Sequence, residues 1–134
     1  MGGKSKLRTP VATEEPSGFG QLLAACALGN LPEVRRLIEA GVDQNQSPGA
    51  PRGWSPLIMA SFHGHLAVAR FLVESGAKLD PVEIDGWATA LDFAEEKGHT
   101  QVAAYLRSVG APLGKDIPNP YRGGKLGGWG EYQP

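Results

Sequence analysis

The run Gly53-Trp54-Ser55-Pro56-Leu57-Ile58-Met59-Ala60-Ser61-Phe62-His63-Gly64-His65 is followed directly by Leu66-Ala67-Val68-Ala69-Arg70-Phe71-Leu72-Val73-Glu74-Ser75-Gly76-Ala77. Leu57, Ala60 and Ser61 fall at helical spacing, as do Val68, Ala69, Leu72 and Val73, which predicts two short amphipathic helices. Gly64 and Gly76 stand where these helices should stop, because glycine takes the left-handed conformation that closes a last turn without steric cost. Ser55-Pro56 supplies an N-cap and a first-turn proline for the inner helix.

The pattern returns 34 positions later, where Leu91, Ala94, Gly98-His99, Leu106 and Gly110-Ala111 fall on Leu57, Ala60, Gly64-His65, Leu72 and Gly76-Ala77. An earlier copy lies 35 positions upstream, with Leu22, Ala25, Gly29, Leu37 and Gly41 in register. A fixed period of this size marks stacked supersecondary units that share a continuous core, so three copies predict an all-α solenoid of three helix-turn-helix units. Helix starts differ between copies: Thr89 with Asp92 three positions on predicts a capping box in the third.

Residues 18–113 thereby resemble the ankyrin-repeat family, whose pattern runs roughly G-x-T-P-L-H-x-A-x-x-x-G-H and then an outer helix ending before G-A-x-x-N. The resemblance implies repeats at about 18–46, 52–83 and 84–113, paired antiparallel helices, hairpin-like fingers and a curved array with a concave face. Departures are visible. The histidine after T-P-L is replaced by Ile58 and Asp92, and unit one has Gly20-Gln21 in place of T-P, as suits a capping repeat. The connection from Gly41 to Gly53 is two residues longer than that from Gly76 to Gly86, which predicts a longer first finger.

Outside the repeats the composition changes. Residues 1–17 hold Lys4, Lys6, Arg8, Glu14, Glu15, Pro10 and Pro16 with no periodicity, and read as a flexible leader. Residues 114–134 draw nine of 21 positions from Gly and Pro and include Tyr121, Trp129 and Tyr132, which reads as a flexible tail with docking potential. The 19 glycines and 11 prolines of the chain therefore divide between repeat punctuation and these tails.

Charge and cysteine content narrow the function classes. A formal net charge of −1, with seven basic against ten acidic residues in 18–113, speaks against nucleic acid as partner. The sole cysteine, Cys26, lies in the apolar run 22–28, so no disulfide framework or cysteine-rich zinc site is expected, and burial makes it a poor nucleophile. That seven-residue run is the longest apolar stretch, far short of the roughly 18 residues a spanning helix needs, and no secretory pattern follows the basic N-terminus. A cytoplasmic, monomeric protein without membrane attachment is expected. Gly2 begins an imperfect myristoylation pattern, with Lys6 where Ser or Thr is wanted, so lipidation there is a minor expectation. Gly2-Gly3-Lys4-Ser5 resembles the end of a phosphate loop but has no preceding strand or glycine.

Three histidines raise metal or catalytic chemistry and do not support it. His65 and His99 occupy the repeat position expected to bond loop backbone, and His63, across a helix end from His65, should not share a face with it. No catalytic residue, metal site or cofactor is expected, and the chain reads as no enzyme; an unrecognised site remains a remote alternative.

The resemblance implies contacts from the finger tips and from the positions just before each inner-helix glycine. These are Trp54 and Trp87 on the fingers, Ala27 and Leu28 in unit one, Phe62 and His63 in unit two, and Glu96 and Lys97 in unit three. Trp54, Phe62 and Trp87 are expected to converge on one face, and exposed aromatics of this kind dominate interface energetics. The competing reading has them packed on neighbouring fingers or a tail. The expected function is a protein-protein interaction module, an adaptor, inhibitor or regulatory subunit; the alternative is a scaffold docked mainly through its C-terminal tail.

Overall fold

The computed structural model describes residues 18–45, 54–82 and 87–119. They form six α-helices in three pairs: α1 (Gly18–Leu28) with α2 (Leu31–Glu39), α3 (Pro56–His63) with α4 (Leu66–Glu74), and α5 (Ala90–Glu96) with α6 (Thr100–Ser108). The inner helices α1, α3 and α5 pack in sequence, the outer helices α2, α4 and α6 form a second layer, and each hairpin joins the two. The core lies between the layers and repeats with the sequence: Leu22, Leu57 and Leu91 from the inner helices face Leu37, Leu72 and Leu106 from the outer ones, all buried. This is the all-α repeat architecture that the period predicts.

The starts of α2, α3 and α5 are each capped by a different side chain. Asn30 Oδ1 accepts from Glu33 N at 3.3 Å, and Ser55 Oγ accepts from Ile58 N at 3.1 Å just before Pro56. Thr89 and Asp92 form the expected capping box, with Asp92 N donating to Thr89 Oγ at 3.2 Å and Thr89 N to Asp92 Oδ2 at 2.9 Å. Ile58, where the family pattern has histidine, is simply buried.

The helices α4 and α6 begin at His65 and His99, whose side chains leave their own helices uncapped. Each ring reaches back to the preceding unit: His65 Nε2 lies 2.9 Å from Ala27 O, and His99 Nε2 lies 3.0 Å from Phe62 O. A carbonyl only accepts, so Nε2 carries the proton in both. The rings stand over the glycines ending the previous inner helices. Gly29 (φ 74°) and Gly64 (φ 79°) are left-handed, and a Cβ there would lie 2.6 Å and 2.5 Å from the Nδ1 of His65 and His99. Glycine is needed twice over at these positions, for its conformation and for its missing side chain.

Further bonds tie the units together. Gln44 Nε2 donates to Ser75 O at 3.1 Å and Leu72 O at 3.3 Å, satisfying carbonyls at the end of α4, while Asn45 Nδ2 donates to Gly76 O at 3.0 Å and Asn45 Oδ1 accepts from Lys78 N at 3.0 Å. On the outer layer, Arg35 sits 4.7 Å over the Phe71 ring, and Arg70 repeats the contact 5.2 Å over Tyr105. Burial pushes the Tyr105 phenol up, Glu74 adds to this and Arg70 opposes it.

The segment after α6 departs from the tail reading. Residues Gly114–Asp116 make a 3-10 turn docked on unit three. Gly114 N donates to Asp92 Oδ2 at 2.6 Å, Thr89 Oγ lies 2.9 Å from Pro112 O, and Trp87 Nε1 donates to Ile117 O at 3.1 Å. A Cβ on Gly114 would collide with the Trp87 carbonyl, so only glycine fits. The composition of 114–134 hid this because one glycine is a packing requirement rather than a sign of disorder. Residues 1–17, the centre of the long first finger at 46–53 and the tail from 120, with Tyr121, Trp129 and Tyr132, lie outside the described residues.

Candidate protein-binding face

The ends of the three inner helices bring Leu28, His63 and Lys97 to equivalent positions, with Ala27, Phe62 and Glu96 beside them. Leu28 is the large apolar side chain most open to solvent among the described residues, at 76% exposure, and His63, Glu96 and Lys97 are exposed as well. Nothing in the packing explains Leu28. A leucine in this position leaves apolar area in water at an unfavourable free energy of roughly 25 cal/mol per Å².

Beside this row lies an aromatic cluster that crosses from unit two to unit three. Trp54 meets Phe62 edge-on at 5.3 Å between ring centroids and stacks on Phe93 at 5.0 Å, while Phe62 and Phe93 approach at 5.4 Å. Phe93, which sequence reasoning did not single out, is the floor of the cluster, 9% exposed; its place on the buried side of α5 hid it. Trp54 and Phe62 are half-buried, so each packs internally and still shows a surface. Trp54, Met59, Phe62 and His63 line an open apolar depression of about 210 Å3.

Polar groups rim the cluster. Lys97 holds its ammonium 4.6 Å above the Phe62 ring, and the His63 ring meets Phe62 edge-on with 5.0 Å between centroids. His63 also lies 6.3 Å from His65 with the ring planes 21° apart. The two do share a face, contrary to the spacing argument, because Gly64 in the left-handed region turns the chain between them. The ion pair of Glu95 with Arg107 leaves Glu96 and Lys97 as the charges at the end of α5.

Trp87 is placed differently from Trp54. Its backbone is left-handed (φ 58°), an uncommon state for a bulky residue, and its indole N–H is committed to Ile117 O. Trp54, Phe62 and Phe93 form the aromatic cluster, and the Trp87 indole is bonded to the C-terminal turn.

Among the described residues there is no group of three or more His, Cys, Asp or Glu side chains able to hold a metal, and no helix long and apolar enough to cross a membrane. Cys26 is free and buried, and burial pushes its thiol up to about 12, which removes the thiolate at neutral pH.

Repeated helix hairpins, glycine stops and cross-unit histidines define a protein of the ankyrin-repeat class. The family model for ankyrin repeats in three copies matches residues 21–117, and the chain belongs to this family. It is 32% identical over 128 residues to dauer abnormal formation protein 25 of Caenorhabditis elegans, covering 95% of this chain and 32% of that protein. It is 38% identical over 79 residues to human protein phosphatase 1 regulatory subunit 27, covering 59% of this chain and 50% of the relative. The chain thus spans about a third to a half of these relatives' length. A chain in the solved structure of a Bdellovibrio bacteriovorus predatory endopeptidase in complex with an immunity protein superposes with a TM-score of 0.64 at 30% identity, covering 69% of this chain and 47% of that one. Ankyrin repeats mediate protein-protein interaction, and that coarse function comes with the family.

Proposed function

We propose that this chain is a non-catalytic binding module, an adaptor, inhibitor or regulatory subunit, that holds a protein partner against the inner-helix ends and the second finger. The anchors are Trp54, Phe62 and His63, flanked by Leu28, Glu96 and Lys97; Trp87 contributes by fixing the end of the array. The observation that carries this reading is the coincidence of an exposed leucine with an open aromatic cluster at structurally equivalent positions of adjacent repeats. Apolar anchors surrounded by polar groups are the usual make-up of an interface centre. The regulatory-subunit name of the human relative agrees with such a role. The module works as a cytoplasmic monomer.

An alanine series at Trp54, Phe62 and His63, with Leu28→Asp, read by partner recovery from the source cell, tests the face. Folded variants with undiminished recovery would sink the assignment. The second reading, docking through the tail, is tested by a stop after Asn119 instead of after Leu113, because residues 114–117 are bonded to unit three. Loss of the partner on that truncation would favour the tail.

A further inference from the structure

From the rim of the aromatic cluster we infer that the partner presents an extended segment in which a large apolar side chain enters the Trp54–Met59–Phe62–His63 depression and an Asp or Glu two positions along, on the same face of the segment, meets Lys97. This rests on the proposed binding face and specifies what that face selects. The depression is open and apolar, with room for one large side chain. The Lys97 ammonium leans back over Phe62 instead of pairing with a carboxylate, so it is a cation at the pocket edge with donors to spare. Among its neighbours along the helix, Glu95 is taken by Arg107, and Glu96 occupies the position equivalent to Phe62 one repeat further on; neither Glu96 nor Lys97 lines the depression, but the Lys97 ammonium lies over the Phe62 ring that does. His63, on the other side, carries no negative charge in either protonation state. An acidic group entering beside the apolar anchor therefore meets the cation held over Phe62.

Spacing adds a second element. Packed helices lie roughly 8–10 Å apart, and an extended chain advances about 3.3 Å per residue. Because alternate residues of a strand share a face, a strand-like segment crossing from unit two to unit one places another apolar side chain on exposed Leu28 two to four residues from the anchor, at an even spacing. The recognised pattern is two apolar residues at such an even spacing, the one nearer unit three followed on its outer side by Asp or Glu two positions away.

The probe is a phage-displayed library of random peptides panned on the full chain, with binders classed by whether Phe62→Ala or the exposed-site variant His63→Ala abolishes them. Pocket-dependent binders enriched in an apolar residue two positions from Asp or Glu are expected. Lys97→Glu should weaken them about tenfold and shift a fresh selection toward Lys or Arg, since an attraction becomes a repulsion. Pocket-dependent binders without acidic enrichment, or with the same enrichment on Lys97→Glu, overturn the charge inference and leave the proposed face standing. Binders indifferent to both pocket variants overturn the face itself.

Discussion

His99 of unit three occupies the space that a side chain on Gly64 of unit two would need, with its Nδ1 2.5 Å from that Cβ position, and binds Phe62 O through the opposite nitrogen at 3.0 Å. The residue that ends one inner helix is thereby coupled to the residue that starts the next outer one. Phe62, whose carbonyl receives the bond, is also the centre of the aromatic cluster, so repeat stacking and the candidate site share one backbone position.

Gly98 supplies an internal comparison. It has nearly the same left-handed conformation (φ 79°), but among the described residues nothing lies within 4 Å of its Cβ position. Gly98→Ala should cost about 1–2 kcal/mol from conformation alone. Gly64→Ala should cost about 1–2 kcal/mol more, since it also displaces His99 and its hydrogen bond. Urea denaturation of the two variants measures the difference; equal losses would contradict the coupling.

Asp92 joins the start of α5 to the C-terminal turn, bonding Thr89 N and Gly114 N through one oxygen. Asp92→Ala removes a cap and leaves the Gly114 N–H without its acceptor, at about 2–3 kcal/mol. A stop after Asn119 should leave the melting temperature unchanged, whereas one after Leu113 should lower it. Circular dichroism melts separate these outcomes.

Cys26 reports on folding. Its thiol is held protonated up to about 12 in the folded chain, whereas an unfolded thiol titrates near 8.5. With the folded value raised, its contribution is complete below the unfolded value and is lost as pH rises through that window, where stability falls at about 1.4 kcal/mol per pH unit. Native protein should react with a thiol reagent only through unfolding, so the labelling rate should rise in parallel with the unfolded fraction in urea. Fast labelling in buffer would show that the packing of α1 is looser than described.

Much of the fold was legible because its determinants are local and recurrent. The in-register glycines mark the helix ends, and the Thr89–Asp92 spacing marks a cap formed within three residues. Contacts set by tertiary approach were less legible. The cost of a side chain at Gly114 depends on the Trp87 carbonyl, 27 positions away in sequence, and the meeting of His63 with His65 depends on the turn at Gly64. At the candidate site, Trp54, Phe62, His63 and Lys97 were readable from repeat register, and the structure groups them. Phe93 was not, because a buried aromatic on α5 has the same sequence signature as any core residue. Trp87 was read as an equivalent of Trp54, and its different partner, Ile117, lies in a segment whose composition disguised its packing.

The central claim is that the inner-helix ends with their aromatic cluster bind a protein. Its most direct test is quantitative affinity capture from the source cell with the intact chain and with a Leu28→Asp, His63→Ala double variant, both positions being exposed and removable without disturbing the core. At matched melting temperatures, the account predicts that a partner recovered with the intact chain falls at least about tenfold with the variant, as expected for loss of a centre of binding energy. Equal recovery of the same partner by both proteins would contradict it.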